Sequence, residues 1–568
     1  MCGIAGITGN YAGRSEVMSR MLQAQKHRGP DATGVWSDNC IFLGHNRLSI
    51  IDLSAEANQP MVSECGGIII VLNGEIYNYP ELKSQLPNYR YRTASDTEVV
   101  LAAYKRWGKD MLSHLNGMFS LAILDRKKGT LFAARDRFGV KPFYYALSDG
   151  NLYFASEIKT LWAAGISRER NMQVWSKYLV YGSYGLPDET FWKDIKQLPA
   201  GHYFEITVTG KEIIEEITTT RWYDFVSDVN EIQSRQNYDL REEYTELLRE
   251  SIKLRFRSDV PVGFNISGGL DSSTLLALIN REYPDNSAIE AFTFYTGHSD
   301  YDELPWVEQL MRLTGKPLNM VLLRSKDVPA LIDKVSWFED EPFGGFPTLA
   351  YSLIFERARQ KEIIVLLDGQ GMDEAWAGYD YYHNDTGFVV QGTRTSPVRP
   401  EILKREFIKL AEKETYPSPF EDKLMNLQYR DLFYTKIPRA LRFNDRISMM
   451  HSTELREPFL DYKLVELAFA QPAEVKFRNG LSKWMLRDLV SNMLGAGIAL
   501  APKRTLQTPQ REWIRYDLSS YCDEKIKQFC SFEFALSSEV MDVWSRYKAG
   551  ENDNSFYIWQ WINLAALT

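Results

Sequence analysis

The chain has 568 residues, 44% of them hydrophobic and 25% charged, with a net charge of −9. That length exceeds one comfortable core and points to two large domains, while the negative balance argues against nucleic-acid or membrane-surface binding, which need a basic footprint. The five cysteines (Cys2, Cys40, Cys65, Cys522, Cys530) form no CxxC pair, and with no basic leader and no run of about 18 apolar residues a cytoplasmic protein is expected.

Cys2 follows the initiator directly, so removal of Met1 would leave a thiol and a free amine on one residue. An α-amino group titrates near pH ~7.7 to 8.0 and can accept the thiol proton, the logic of an N-terminal nucleophile hydrolase. Cys2-Gly3-Ile4-Ala5-Gly6-Ile7 alternates as a buried strand would. Cysteine at such a position is otherwise most often a small buried hydrophobe. Gly67 to Leu72 is an apolar strand. Thr97 to Trp107 reads as a helix with Val99, Val100, Ala103 and Tyr104 on one face. Phe119 to Leu124, the turn Asp125 to Gly129 and Thr130 to Arg135 read as a hairpin. The first unit is therefore α+β. Between Ile206 and Asn237 the sequence turns polar and irregular, which marks a connector.

After Tyr238, helical stretches alternate with short apolar strands at Val262 to Ile266, Ala291 to Tyr295 and Ile363 to Leu367, implying a parallel sheet covered by helices. Beyond Asp431 the pattern is mainly helical, and the tryptophans of the tail, Trp513, Trp544, Trp559 and Trp561, read as core. Ser267-Gly268-Gly269-Leu270-Asp271-Ser272-Ser273 joins the first of these strands to a helix. Such a loop aims backbone N–H groups at an anion. A carboxylate inside a phosphate cradle repels its ligand unless a cation intervenes, so Asp271 implies Mg2+ between protein and pyrophosphate. The alternative is a glycine-rich turn with Asp271 and Ser272 capping the helix. Asp368-Gly369-Gln370-Gly371-Met372-Asp373-Glu374 follows the third strand. Ligands gather at the carboxyl ends of parallel strands, so both loops are expected to face one nucleotide, with Asp373 a second magnesium partner.

Arg28-Gly29-Pro30-Asp31, Arg47-Leu48-Ser49-Ile50-Ile51-Asp52, Asn73-Gly74-Glu75-Ile76-Tyr77-Asn78 and Ser95-Asp96-Thr97-Glu98, taken with Cys2, resemble class II glutamine amidotransferases. With the two loops above, Arg135 to Pro142, Ala155 to Lys159, Leu198 to His202 and Glu454-Leu455-Arg456-Glu457-Pro458-Phe459-Leu460-Asp461, the chain is similar to glutamine-hydrolysing asparagine synthetases from residue 2 to about 490. The resemblance implies an α+β N-terminal nucleophile domain (an αββα sandwich) over 2–205, a connector over 206–237, and an α/β parallel-sheet ATP pyrophosphatase domain with a helical C-terminal part over 238–568.

It also implies roles. Cys2 would attack the glutamine amide and release ammonia, with Asn73 and the Gly74 N–H as the oxyanion hole. Arg47 would hold the substrate carboxylate, Asp96 and Glu75 its amine, and Leu48, Ser49, Ile50 and Ile51 would line the pocket. ATP would lie against Asn265, Ser267, Gly268, Gly269, Asp271, Ser272, Phe294, Asp368 and Gly369, with Asp271 and Asp373 on Mg2+ and Lys483 neutralising phosphate charge. Gln370 stands where the family often has glutamate, and an amide cannot serve as a base toward ammonia. The implied partners are glutamine, ATP and aspartate or another carboxylic acid, and at most a second copy in a homodimer.

Overall fold

The computed structural model describes residues 2–9, 12–210, 213–236, 238–284, 288–382, 396–502, 507–551 and 554–567. The strands of the first half are β1 (Gly3–Thr8), β2 (Ala32–Ser37), β3 (Ile41–Arg47), β4 (Met61–Val62), β5 (Ile68–Ile76), β6 (Gly117–Asp125), β7 (Thr130–Arg135), β8 (Tyr144–Ser148), β9 (Asn151–Ala155), β10 (Ile195–Gln197), β11 (His202–Thr207) and β12 (Thr220–Arg221). They build two antiparallel six-stranded sheets, ordered β10-β8-β9-β1-β3-β2 and β12-β11-β7-β6-β5-β4.

Period-two alternation explains the four layers. In β5, Ile69 and Val71 pack with Ile4, Leu43 and Phe154 between the sheets. Ile70 and Leu72 point the other way, under the helix Asp96–Trp107. In β1, Ala5 and Ile7 turn toward Met18 and Met21 of the helix Arg14–Ala24. The result is the expected αββα sandwich. The strand expected to end at Leu72 continues to Ile76, because the ladder to β6 carries on through Asn73↔Ser120, Gly74↔Phe119 and Glu75↔Met118. The expected hairpin closes at Gly129 (φ 67°), whose N–H reaches the Asp125 carbonyl at 2.8 Å. Within the polar stretch after Ile206, β12 pairs with β11 and the helix Phe225–Ser234 follows.

The second half is built on β13 (Val262–Asn265), β14 (Ala291–Tyr295), β15 (Leu318–Leu322), β16 (Val365–Leu367) and β17 (Glu454–Arg456), parallel throughout and ordered β15-β14-β13-β16-β17. Burial on both faces matches their unbroken apolar sequences: Val365 and Leu367 pack one way, Leu366 the other. The order places the exits of β13, β16 and β17 side by side. Four helices, Gln510–Arg515, Ser519–Cys530, Ser537–Ala549 and Phe556–Ala566, close the chain, and Trp513, Trp544, Trp559 and Trp561 are all buried. Among the described residues no helix is long and apolar enough to cross a membrane.

Candidate active sites

Cys2 immediately precedes β1 and is 7% exposed. Its backbone nitrogen donates to Asn73 Oδ1 at 3.1 Å, and its Sγ faces the Leu48 carbonyl at 3.9 Å. Burial pushes the thiol above its usual range, so it rests protonated. Asn73 is held in turn by Ser156, whose Oγ takes the Ile4 N–H at 3.0 Å and the Asn73 amide at 3.5 Å. Gly74 has φ 146°, and a Cβ there would lie 2.0 Å from the Met118 carbonyl oxygen. Only glycine fits between the two strands at that point.

Asp96 accepts the Ile76 N–H at 2.8 Å and the Thr97 N–H at 2.8 Å, which ties the helix it begins to the end of β5. Burial raises Asp96 to about 6 and pushes Glu75 well above the carboxylate range, the latter with Glu454 and Asp96 adding repulsion. Arg47 is 5% exposed and pins the loop that follows it. It is clamped to the Ser54 carbonyl at 2.6 Å, to Asn58 Oδ1 at 2.9 Å, and to the carbonyls of Ile51 and Asp52. These contacts fix the loop carrying Leu48, Ser49, Ile50 and Ile51 over the cysteine.

At the second site, β13 leads into the glycine-rich loop. The Gly268 N–H donates to Glu303 at 3.0 Å, and the Ser272 hydroxyl folds back to the Ser267 carbonyl at 2.8 Å. Asp271 lies in the first turn of the helix Leu270–Glu282, but its carboxylate takes Lys483 Nζ at 2.7 and 2.6 Å instead of capping it. Asp373 Oδ1 meets the same ammonium at 2.7 Å. Burial opposes that charge, yet the two carboxylates outweigh it and hold Lys483 above its ordinary value. Lys483 stands just before the helix Trp484–Leu494 with φ 56°, a left-handed geometry that costs a non-glycine residue about 1–3 kcal/mol and gathers at functional sites.

Two carboxylates converging on one cation are hard oxygen donors, the set Mg2+ takes together with phosphate oxygens. These residues therefore fit the ion. Beside them, the buried side chains of Asn265 and Asp368 lie within reach of each other, and Asp368 Oδ1 accepts the Gly369 N–H at 2.8 Å. Asn265 borders a crevice shared with Ser267, Phe294 and Tyr351, where it can serve a nucleoside. Burial raises Asp368 to about 6, against the pull of the Gly369 N–H. Gln370, half-buried, follows directly.

Two further spaces adjoin this centre. A narrow crevice between the halves is lined by Tyr77, Met118 and Val140 on one side and Arg255, Glu457 and Leu460 on the other. A cavity of about 370 Å³ is walled by Tyr184, Tyr434, Arg430, Lys436, Arg439 and Arg442. Lys436 lies 5.3 Å from the ring of Tyr379, whose hydroxyl donates to Glu374 at 2.6 Å, so the cavity is one aromatic layer from Asp373. Ser156, Glu303 and Arg28 received no role from the sequence. Arg28 and Ser156 lie inside recognisable strings, whereas nothing in the sequence marked Glu303.

Residues 1–223 match the family model for a glutamine amidotransferase domain, and residues 243–568 match that for asparagine synthase. The chain belongs to the asparagine synthase family. It is an ATP-dependent carbon–nitrogen ligase with a glutaminase domain. A putative asparagine synthetase (glutamine-hydrolyzing) 2 of Methanocaldococcus jannaschii is 38% identical over 67% of this chain and 76% of its own. Asparagine synthetase (glutamine-hydrolyzing) 1 of Bacillus subtilis is 26% identical over 98% and 95%. An amidase chry2 of Gibberella zeae is 27% identical over 88% and 86%. This synthetase thus carries both family units in one chain, antiparallel sandwich first and parallel sheet second.

Proposed function

We propose that the enzyme hydrolyses glutamine at Cys2, passes the ammonia between its halves, and joins it to a carboxylate activated by ATP, giving asparagine from aspartate with release of AMP and pyrophosphate. The observation that carries this reading is the meeting of Asp271, Asp373 and Lys483 at the exits of neighbouring parallel strands. A cation held there can draw charge from a departing pyrophosphate.

The division of the chain into a glutaminase unit over 2–205, a connector over 206–237 and a synthetase unit over 238–568 goes with this reading. Cys2 attacks the amide carbon, and the proton leaves to the α-amine freed when Met1 is removed. Asn73 and the Gly74 N–H stabilise the oxyanion, worth about 2.7–4 kcal/mol per donor in comparable holes. Arg47, Glu75 and Asp96 orient the amino-acid end of glutamine. At the second site Ser267, Gly268, Gly269 and Ser272 cradle phosphates, while Asn265, Phe294, Asp368 and Gly369 hold the nucleoside. Lys483 neutralises phosphate charge as it builds. When bound, Mg2+ would neutralise the leaving pyrophosphate.

The test is a Cys2→Ala chain. Glutamine-dependent amide synthesis should vanish while synthesis from ammonium salts persists, and joint loss of both would refute the division of labour. A panel of carboxylic acids assayed for ATP-to-AMP turnover identifies the acceptor. One observation favours a second reading: the cationic cavity behind Tyr379 suits an anionic carboxylic acid larger than aspartate, amidated by the same chemistry.

A further inference from the structure

The reading above leaves one chemical need unmet. Ammonia attacking an acyl-adenylate becomes positively charged at nitrogen and must lose a proton before the amide is stable. Gln370 cannot take that proton. Asp271 and Asp373 are both engaged with Lys483. Glu374 is bonded to Tyr379.

Glu457 is differently placed. It is the first residue after β17, as Asp368 is the first after β16, and the two strands are parallel neighbours with Leu367 paired to Arg456. Pro458 follows, which keeps Glu457 out of the helical region (φ −115°, ψ 84°) at the carboxyl edge of the sheet. The side chain is 4% exposed, and its carboxylate has only the Asn444 amide and the Gln370 N–H within reach, neither in good hydrogen-bond geometry. A buried carboxylate whose hydrogen bonding is this incomplete is expensive and calls for a functional reason. Glu457 also lines the interdomain crevice, opposite Tyr77 and Met118 of the glutaminase half. Thus one carboxylate borders both the space between the halves and the nucleotide loop.

Its surroundings favour proton uptake. Burial raises its proton affinity well above the carboxylate range and Asp368 adds to the rise, while Lys141, the Asn444 amide and the Gln370 N–H pull the other way. Tyr351 senses the Glu457 charge from the nucleoside side, and Arg137, Arg255 and Asp136 share the crevice.

We propose that Glu457 is the proton acceptor for the attacking ammonia, standing where the crevice between the halves meets the nucleotide loop. The nitrogen lone pair forms the new C–N bond, and one N–H proton passes to a Glu457 oxygen. The C–O bond to phosphate breaks with its electron pair leaving on AMP. Glu457 then gives the proton to solvent. The assignment rests on the glutamine-dependent ligase reading.

The experiment compares the full-length wild type with Glu457→Gln and Glu457→Asp, using ammonium chloride and the acid that the turnover panel selects. In Glu457→Gln, glutamine hydrolysis and adenylate-linked pyrophosphate release should stay within about two-fold of wild type, while amide formation drops by about 10²-fold or more, the usual worth of a general base. Hydroxylamine, a nucleophile far less basic than ammonia, should restore most of the product. Glu457→Asp should recover part of the rate with a displaced pH profile. Amide formation at the wild-type rate in Glu457→Gln overturns the assignment, as does parallel loss of pyrophosphate release without hydroxylamine rescue. If the wild type itself adenylates no acid, the underlying reading fails, and this one with it.

Discussion

Arg28 of the N-terminal half and Asp445 of the C-terminal half form a two-pronged pair at 2.8 and 3.2 Å, and the same guanidinium donates Nε to the Cys2 carbonyl at 3.0 Å. The Cys2 backbone is therefore anchored to the helix Ile437–Met449 of the C-terminal half through one side chain. Arg28 also meets Glu157 at 3.0 Å, and the Arg446 guanidinium reaches the Ser156 carbonyl at 2.9 Å. Burial works against these charges, yet His27, Lys159 and Arg446 keep Glu157 well below the ordinary carboxylate range.

Arg28→Gln should cost about 3–5 kcal/mol, because breaking a buried pair strands the partner charge. It should also loosen Cys2 from the second half, so that more glutamine is hydrolysed per AMP formed. Urea unfolding and the glutamine-to-AMP ratio measure the two effects. An unchanged ratio in a chain of normal stability would show that Arg28 does not couple the halves.

The raised Cys2 thiol gives a pH dependence of definite sign. Burial favours the neutral thiol, so the reactive thiolate grows as pH rises toward and past the ordinary thiol range near ~8.5. Steady-state glutamine hydrolysis should climb from pH 6 to pH 9. A chain with Met1 retained lacks the α-amine and should show little hydrolysis throughout. A flat profile in the processed enzyme would argue against thiol ionisation as a controlling step.

Much of this was legible in the sequence wherever local pattern decides the outcome. Alternation in Ile69 to Leu72 and the apolar runs at Val262 and Val365 dictate sheet faces, and the glycine-rich loop falls between a strand and a helix as its composition requires. Partnerships across the chain were not legible. Arg28 and Asp445 are 417 positions apart, Lys483 and Asp271 are 212 apart, and no periodicity reports which charges will meet. Nor was it legible that the loop turn at Asp52, with φ 54°, brings four acceptors around Arg47. Only the resemblance gave Lys483 a role, and its left-handed backbone, which faces it to Asp271 and Asp373, had no sequence signal. Glu457 lay inside a recognisable string with no sign that it would be buried.

Glu466 offers a test of burial against charge. It lies on the helix Tyr462–Phe469 and accepts the Tyr223 hydroxyl at 2.7 Å. Burial lifts it to about 7, partly offset by that hydrogen bond. Its folded proton affinity exceeds the unfolded one, near ~4.3, so its stabilising contribution is complete below about pH 4 and is lost as pH rises toward 7. At about 1.4 kcal/mol per pH unit, the loss approaches ~4 kcal/mol on the alkaline side. Glu466→Gln removes that slope. Urea titrations should show the variant gaining stability over wild type between pH 5 and pH 8, and an equal difference at both pH values would contradict the shift.

The cavity beside Tyr379 decides between acceptors. Its volume of about 370 Å³ falls in the range of sites for drug-sized ligands. Lys436, drawn down to about 7 by burial and then by Arg439, would regain its charge beside a bound anion. Arg442 is committed to Glu341 at 2.9 Å and Arg430 to Asp431 at 2.9 Å. Arg439, 6.0 Å from the Tyr184 ring, is half-buried and makes no ion pair among the described residues. It is the cation best placed to meet a ligand without dismantling the fold. If the acceptor is a larger anionic acid, Arg439→Ala should raise its KM about ten-fold, a loss near ~1.4 kcal/mol, and leave the KM for ATP and glutamine hydrolysis unchanged. If aspartate is the acceptor and does not extend into the cavity, turnover with aspartate should keep its KM in the variant. Measuring pyrophosphate release against both acids therefore assigns the acceptor, because the two outcomes cannot occur together for one substrate.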